Sequence, residues 1–148
     1  MDIEWLILAD AAQVVWNKLY LLGGGWDKLT VNSKFPADQR CAMALSLKVS
    51  WNETNQKHTF EIEILSEDRA TEEQKSMIKV GGQFELGRPP GISQGQEQRF
   101  QLALDLNLKI DSPGTKIIIA RIEGQEMRRL CFDVIEGPLI SRTDRHNT

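Results

Sequence analysis

Histidine, cysteine and any excess of charge of one sign are scarce in this 148-residue chain, and each scarcity removes a class of function. Only His58 and His146 are present. A Ser-His-Asp or Cys-His unit would have to use one of them, and no Gly-x-Ser-x-Gly elbow accompanies either. His58 has no second histidine or in-phase cysteine close by, so a zinc site lacks ligands. The two cysteines, Cys41 and Cys131, permit at most one bridge. Cys41 shares the parity of Met43, Leu45, Leu47 and Val49, whereas Cys131 sits between the apolar Leu130 and Phe132. One points in and one out, which argues against a disulfide.

The charged residues, 18 basic against 21 acidic, leave a net charge of -3 and no basic stripe of the kind nucleic-acid binding requires. Gly23-Gly24-Gly25 lacks the spacing of a nucleotide fingerprint and no GK[ST] follows it. There is no dense Asp-x-Asp loop for calcium. Glu61 and Glu63 share a face and read as the wet side of a strand rather than as a glycosidase pair. Long apolar runs are missing too: Ile3 to Val15 is broken by Glu4, Asp10 and Gln13 and closed by Asn17 and Lys18, short of the roughly 20 residues that a span needs. These absences predict a protein with no catalytic residue, metal or cofactor, in the reducing cytoplasm.

What is present is alternation. Phe100, Leu102, Leu104, Leu106, Leu108 and Ile110 interleave with Gln101, Ala103, Asp105, Asn107 and Lys109, a strand with one wet face. Period two recurs in Phe60, Ile62 and Ile64, in Leu130, Phe132 and Val134, and along Cys41 to Trp51. Turn chemistry at Asn52 to Lys57, at Ser112-Pro113-Gly114 and at Glu123-Gly124 separates the runs. Gly81-Gly82, inside Ile78 to Leu86, predicts a bulge. The polar segment Glu67 to Ser76 predicts a surface excursion with one helical turn. The first 22 residues fit a hairpin with its turn near Asn17-Lys18 better than an all-round apolar helix. The expected fold is all-β: a two-layer antiparallel β-sandwich of seven to nine strands over residues 1–136, with a flexible polar tail over 137–148.

The segments Ala9 to Val15 (ADAAQVV), Lys18 to Asp27 (KLYLLGGGWD), Val49 to Gln56 (VSWNETNQ) and Phe84 to Gly91 (FELGRPPG) together resemble an uncharacterised family of small bacterial proteins, a conserved domain of unknown function. The resemblance runs to about Val134. It implies an immunoglobulin-like or C2-like sandwich in a bacterial cytosol, and it carries no reaction, cofactor or partner. Glu67 to Ser76 departs from the family pattern, where a shorter acidic turn is expected.

Function is therefore expected in loops. Trp26-Asp27 follows the glycines, Trp51-Asn52-Glu53 opens a turn, and Arg88-Pro89 is stiff and carries a cation able to bond bidentately. Tryptophan and arginine dominate binding hot spots. The leading expectation is a non-catalytic module that binds another protein, such as the product of a neighbouring gene, or its own copy, through these loops, with neither nucleic acid nor membrane as partner. The competing account has both tryptophans plugging the ends of the sheets and Arg88 paired with an acidic neighbour. The alternative function is a small-molecule sensor with a pocket at one end of the sheets.

Overall fold

A computed structural model describes residues 1–67 and 73–139. The chain is all-β, in two sheets. The described residues form nine strands: β1 (Asp2–Val15), β2 (Lys18–Gly24), β3 (Lys28–Val31), β4 (Ala37–Val49), β5 (Lys57–Glu67), β6 (Gln74–Glu85), β7 (Gln98–Ile110), β8 (Gly114–Ile122) and β9 (Gln125–Glu136). One sheet has the order β2-β1-β4-β7 and the other β3-β9-β8-β5-β6. The second curls into half a barrel. No helix among the described residues is long and apolar enough to cross a membrane.

The inward parities of both sheets meet in one core. Ile3, Leu6 and Leu8 of β1 and Met43, Leu45 and Leu47 of β4 join Ile62, Ile64, Ile118, Ala120, Phe132 and Val134 of the other sheet. The alternation that predicted the strands also made this core, because residues two apart on a strand share a face. Cys41 is buried and Cys131 exposed, both as free thiols. Burial pushes the Cys41 thiol up to about 11, with a smaller contribution from the negative charge of Asp10.

Several expectations need correction. The sheets are not antiparallel throughout, because β3 runs parallel to β9. The chain leaves β2 through Gly23 and Gly25, both at positive φ, and crosses to the edge of the other sheet, where no hairpin constrains its direction. The Gly81-Gly82 pair holds regular register opposite Glu61 and Phe60, and the irregularity in this ladder lies at Ile64/Leu65 instead. A side chain at Gly81 would press its Cβ to 2.9 Å from the Phe60 carbonyl oxygen, and one at Gly82 would come 3.1 Å from the Phe60 ring. These glycines make room for a cross-strand phenylalanine. The expected excursion shrinks, since Ser66, Glu67, Gln74 and Lys75 are already paired in the β5–β6 ladder; residues 68–72 and the tail from 140 lie outside the described residues.

Glu63 is buried rather than wet. Arg121 reaches Glu61 at 2.7 Å and Glu63 at 3.1 Å, Lys79 approaches both, and the Ser76 hydroxyl donates to Glu63 at 2.9 Å. Burial alone would push the Glu63 carboxyl up, yet these donors and cations together hold it below its ordinary value.

Strand β4 is covered on both sides. Its Ala42, Ala44 and Ser46, which face away from the core, are as buried as the inward Met43 and Leu45. The reason is the β1–β2 hairpin. β1 leaves β4 after Ala9, and its outer half contacts β7 although β4 separates the two in the sheet. Strands two apart in a flat sheet lie about 9.6 Å from each other, so this contact requires the hairpin to arch over β4. The alanines beneath it are small enough to admit the hairpin.

Candidate interaction surface

The predicted loop residues separate into two places. Trp51, Asn52 and Glu53 form a 3-10 turn leading into β5. The Arg88 guanidinium lies 3.8 Å above the Trp51 ring, donates to the Thr54 hydroxyl at 2.7 Å and to the Trp51 carbonyl at 3.0 Å. Glu53 accepts from the Ser50 amide and hydroxyl at 3.1 and 2.7 Å and pairs with the Met1 amino group at 2.8 Å. Burial opposes the charge on Glu53, but these donors outweigh it and keep the carboxyl below its usual range. Asn52 is exposed and its carbonyl accepts from the Gln56 side chain. Pro89 follows Arg88 in an exposed stretch. Arg88 thus finds an aromatic face and neutral oxygens, not the acidic neighbour of the competing account, and the cluster closes one end of the sheets.

Trp26 and Asp27 lie toward the other end. Trp26 is half-buried and meets Phe132 edge-on at 5.9 Å, with its Nε1 buried and without an acceptor among the described residues. The Asp27 carbonyl accepts from the Asp133 amide at 2.9 Å, starting the parallel β3–β9 pairing at the level of Thr115. Trp26 is therefore packed against the sheet rather than presented to solvent.

His58 is buried with both ring nitrogens engaged: Nδ1 lies 2.8 Å from Glu123 Oε1 and Nε2 lies 2.7 Å from the Glu53 carbonyl. Among the described residues no three His, Cys, Asp or Glu side chains converge as a metal site would require.

At the end of the sheets away from Trp51, a cleft of about 720 Å³ opens between the β5–β6 strands and the Ser112 to Gly114 turn. Lys116 lines it while being only 1% exposed. Its Nζ donates to the Ser66 hydroxyl at 2.8 Å and to the Ser112 carbonyl at 3.0 Å, and no carboxylate of the described residues lies within ion-pair distance. Burial in this surrounding lowers the Lys116 pKa, only partly countered by the charge of Asp111.

The exposed apolar surface is elsewhere, on the β1–β2 hairpin. Trp16 is 93% exposed, Leu22 70%, Tyr20 57% and Val15 37%. The two turn residues, Trp16 and Asn17, have φ of 52° and 56°, the left-handed pair that suits a two-residue hairpin. Asn17 ties the tip to β7: its side chain donates to the Arg99 carbonyl at 3.2 Å and its own carbonyl accepts from Gln101 at 2.7 Å. Alongside the hairpin runs a groove of about 690 Å³ bordered by Ala11, Leu19, Tyr20, Leu21, Leu22 and Asp105.

The expected hairpin is present with its turn at Trp16-Asn17 rather than Asn17-Lys18, and its exposed tryptophan is not among the expected binding residues. The available signal was a tryptophan inside a two-residue turn, where a side chain has no sheet to pack against, followed by Tyr20 and Leu22 on the same face as Lys18.

No curated protein matches the chain. Among solved structures, it is similar to the Pseudomonas fluorescens alkylpurine DNA glycosylase AlkC bound to DNA containing an abasic site analog, at 9% identity and a TM-score of 0.41, over 74% of this chain and 28% of that one. The chain thus spans little more than a quarter of that protein, and a likeness this slight carries no argument about fold or function. Residues 4–135 match the family of unknown function DUF6941, and with most of its length inside that match the chain belongs to this family.

Proposed function

We propose that this chain is an interaction module without chemistry of its own, which engages another polypeptide through the β1–β2 hairpin. The observation that carries it is Trp16, a side chain 93% exposed on a turn whose backbone is fixed by Asn17. With the backbone of the turn already tied down, only the two side-chain torsions of the indole remain to be ordered on binding, a small cost for so large a contact surface. Tyr20 and Leu22 extend the apolar surface down the strand. The loops around Trp26, Trp51 and Arg88 take a supporting role, because their large side chains are turned inward or stacked on one another. We read the two sheets as an immunoglobulin-like or C2-like sandwich of a bacterial cytosolic protein, a frame stiff enough to present such a hairpin.

The test is a photo-crosslinking residue in place of Trp16, irradiated in an extract of the native host. A discrete covalent product, lost when an excess of unmodified protein competes and undiminished when the competitor carries Trp16→Ser, is the expected result. No product at Trp16 or Tyr20 refutes the reading. A second reading, a sensor of small molecules, rests on the buried Lys116 amine beside its cleft. A metabolite that raises the melting temperature of the wild type but not of Lys116→Met would support it.

A further inference from the structure

We infer that the occupant of the hairpin surface is a second copy of this chain, joined strand to strand along the free edge of β2. This rests on the reading of the hairpin as an interaction surface and names its partner.

The four sheet edges differ in how they are defended. β3 is only four residues long. β6 carries Lys75 and Lys79, and β7 carries Arg99, Asp105 and Lys109. Short edges and charged edges are the usual devices against strand addition. β2 (Lys18–Gly24) has neither: its single charge, Lys18, is at one end, and Leu19 to Leu22 are uncharged. Among the described residues it pairs with β1 alone.

The register of the hairpin fixes which groups are free. Val15 and Lys18 flank the two-residue turn and bond to each other, and the bonded pairs recur at Gln13 with Tyr20 and Ala11 with Leu22. The backbone amides and carbonyls of Leu19 and Leu21 therefore point away from β1. A two-fold axis through Tyr20 brings Leu19 of one copy opposite the partner's Leu21, and these two exchange amide-to-carbonyl bonds in both directions. It also leaves Gly23, whose φ of 57° takes it out of the extended region, outside the new ladder.

Side chains suit this register. Tyr20 meets the partner's Tyr20 as a non-bonded pair, the closest approach available across antiparallel strands. Lys18 faces the partner's Leu22, so no like charges oppose one another. Trp16 comes level with the partner's Gly24, a residue over which the Leu21 side chain of its own chain lies, so the indole approaches an apolar group. An isologous contact of this kind closes on itself and stops at two.

The size of the surface sets the strength. Two aromatic rings and Leu22, at their observed exposures, offer roughly 500 Å² of apolar surface per copy, against about 800 Å² a side for a standard interface. The dimer is accordingly expected in the micromolar range and is sought between roughly 10 and 300 µM.

Sedimentation of the purified chain across that range should show the apparent mass rising from one copy toward two. Tyr20→Lys, which places two ammonium groups on the axis, should stay monomeric throughout with an unchanged melting temperature. In a Cys131→Ser background, Tyr20→Cys should oxidise to a covalent dimer, because non-bonded cross-strand pairs sit at disulfide distance. Leu22→Cys should not. A wild type monomeric at the highest concentration, or a dimer indifferent to Tyr20→Lys, overturns the inference. If the wild type is monomeric while Trp16 still crosslinks to a different protein, the interaction reading stands and only the choice of partner fails.

Discussion

Replacing Trp16 with asparagine should make the protein more stable while weakening its association. The two effects come from different parts of the residue. At φ 52° the Trp16 backbone occupies the left-handed region, which costs an ordinary L-residue roughly 1–2 kcal/mol and asparagine distinctly less. The ring gives little in return. With 93% of the residue exposed, only about 20 Å² of a ring-bearing surface near 250 Å² is covered, worth about 0.5 kcal/mol at 25 cal/mol per Å². Trp16→Asn should therefore gain about 0.5–1 kcal/mol, which for a domain of this size is a rise of about 2–3 °C in melting temperature. Urea unfolding at concentrations too low for dimerisation measures the first effect, and sedimentation at high concentration measures the second. A loss of stability on substitution would mean that the indole packs inside its own chain. A gain with undiminished association would mean that Trp16 is not used in binding, and either result refutes the reasoning.

Other substitutions test the remaining structure. The adjacent glycines should respond differently: Gly81→Ala, which drives a Cβ against the Phe60 carbonyl, should cost about 1–3 kcal/mol in urea unfolding, whereas Gly82→Ala meets only a ring that can tilt and should change stability by less than about 1 kcal/mol. Lys116 predicts a pH dependence. Its folded-state pKa lies below the unfolded value near 10.5, so below the folded value the buried charge weighs fully against folding, and stability should climb as pH rises from there toward 10.5. Lys116→Met should flatten that rise, read as the difference in urea midpoint between pH 7 and pH 10. Arg88→Ala, which removes the stack on Trp51 and two hydrogen bonds, should cost about 1–2 kcal/mol and red-shift tryptophan emission, with dimerisation unchanged.

Much of the fold was legible because burial on one face leaves a period of two. β7, β9 and the inward face of β4 can be read directly, as can the opposite phases of Cys41 and Cys131. β3 could not be read: four residues, Lys28–Val31, are too few for a pattern, and their partner β9 lies about a hundred positions away. The second burial of β4 was equally hidden, since Ala42 and Ala44 look like neutral residues until the hairpin that covers them is placed. Gly81-Gly82 suggested a bulge because the phenylalanine it accommodates belongs to another strand. Lys116 shares the parity of Ile118, Ala120 and Ile122, so its burial was available from the pattern and was obscured only by its charge. The candidate site was the least legible part. Tryptophan and arginine point equally to a binding surface and to packing, and only coordinates separate Trp26 and Trp51, which are covered, from Trp16, which is not.

The tie between Asn17 and β7 also governs how a pull on the hairpin would be borne. Without it, force applied at the tip would open the β1–β2 pairing one hydrogen bond at a time, the weakest geometry for a pair of strands. With the tip held to Arg99 and Gln101, tension passes sideways into β7, which is bonded to β4 along the whole of its length. Those bonds then share the load together and resist as a set. The hairpin is thus fastened at both ends, by β1 continuing into the sheet and by its tip on β7, and behaves as a strap rather than a flap.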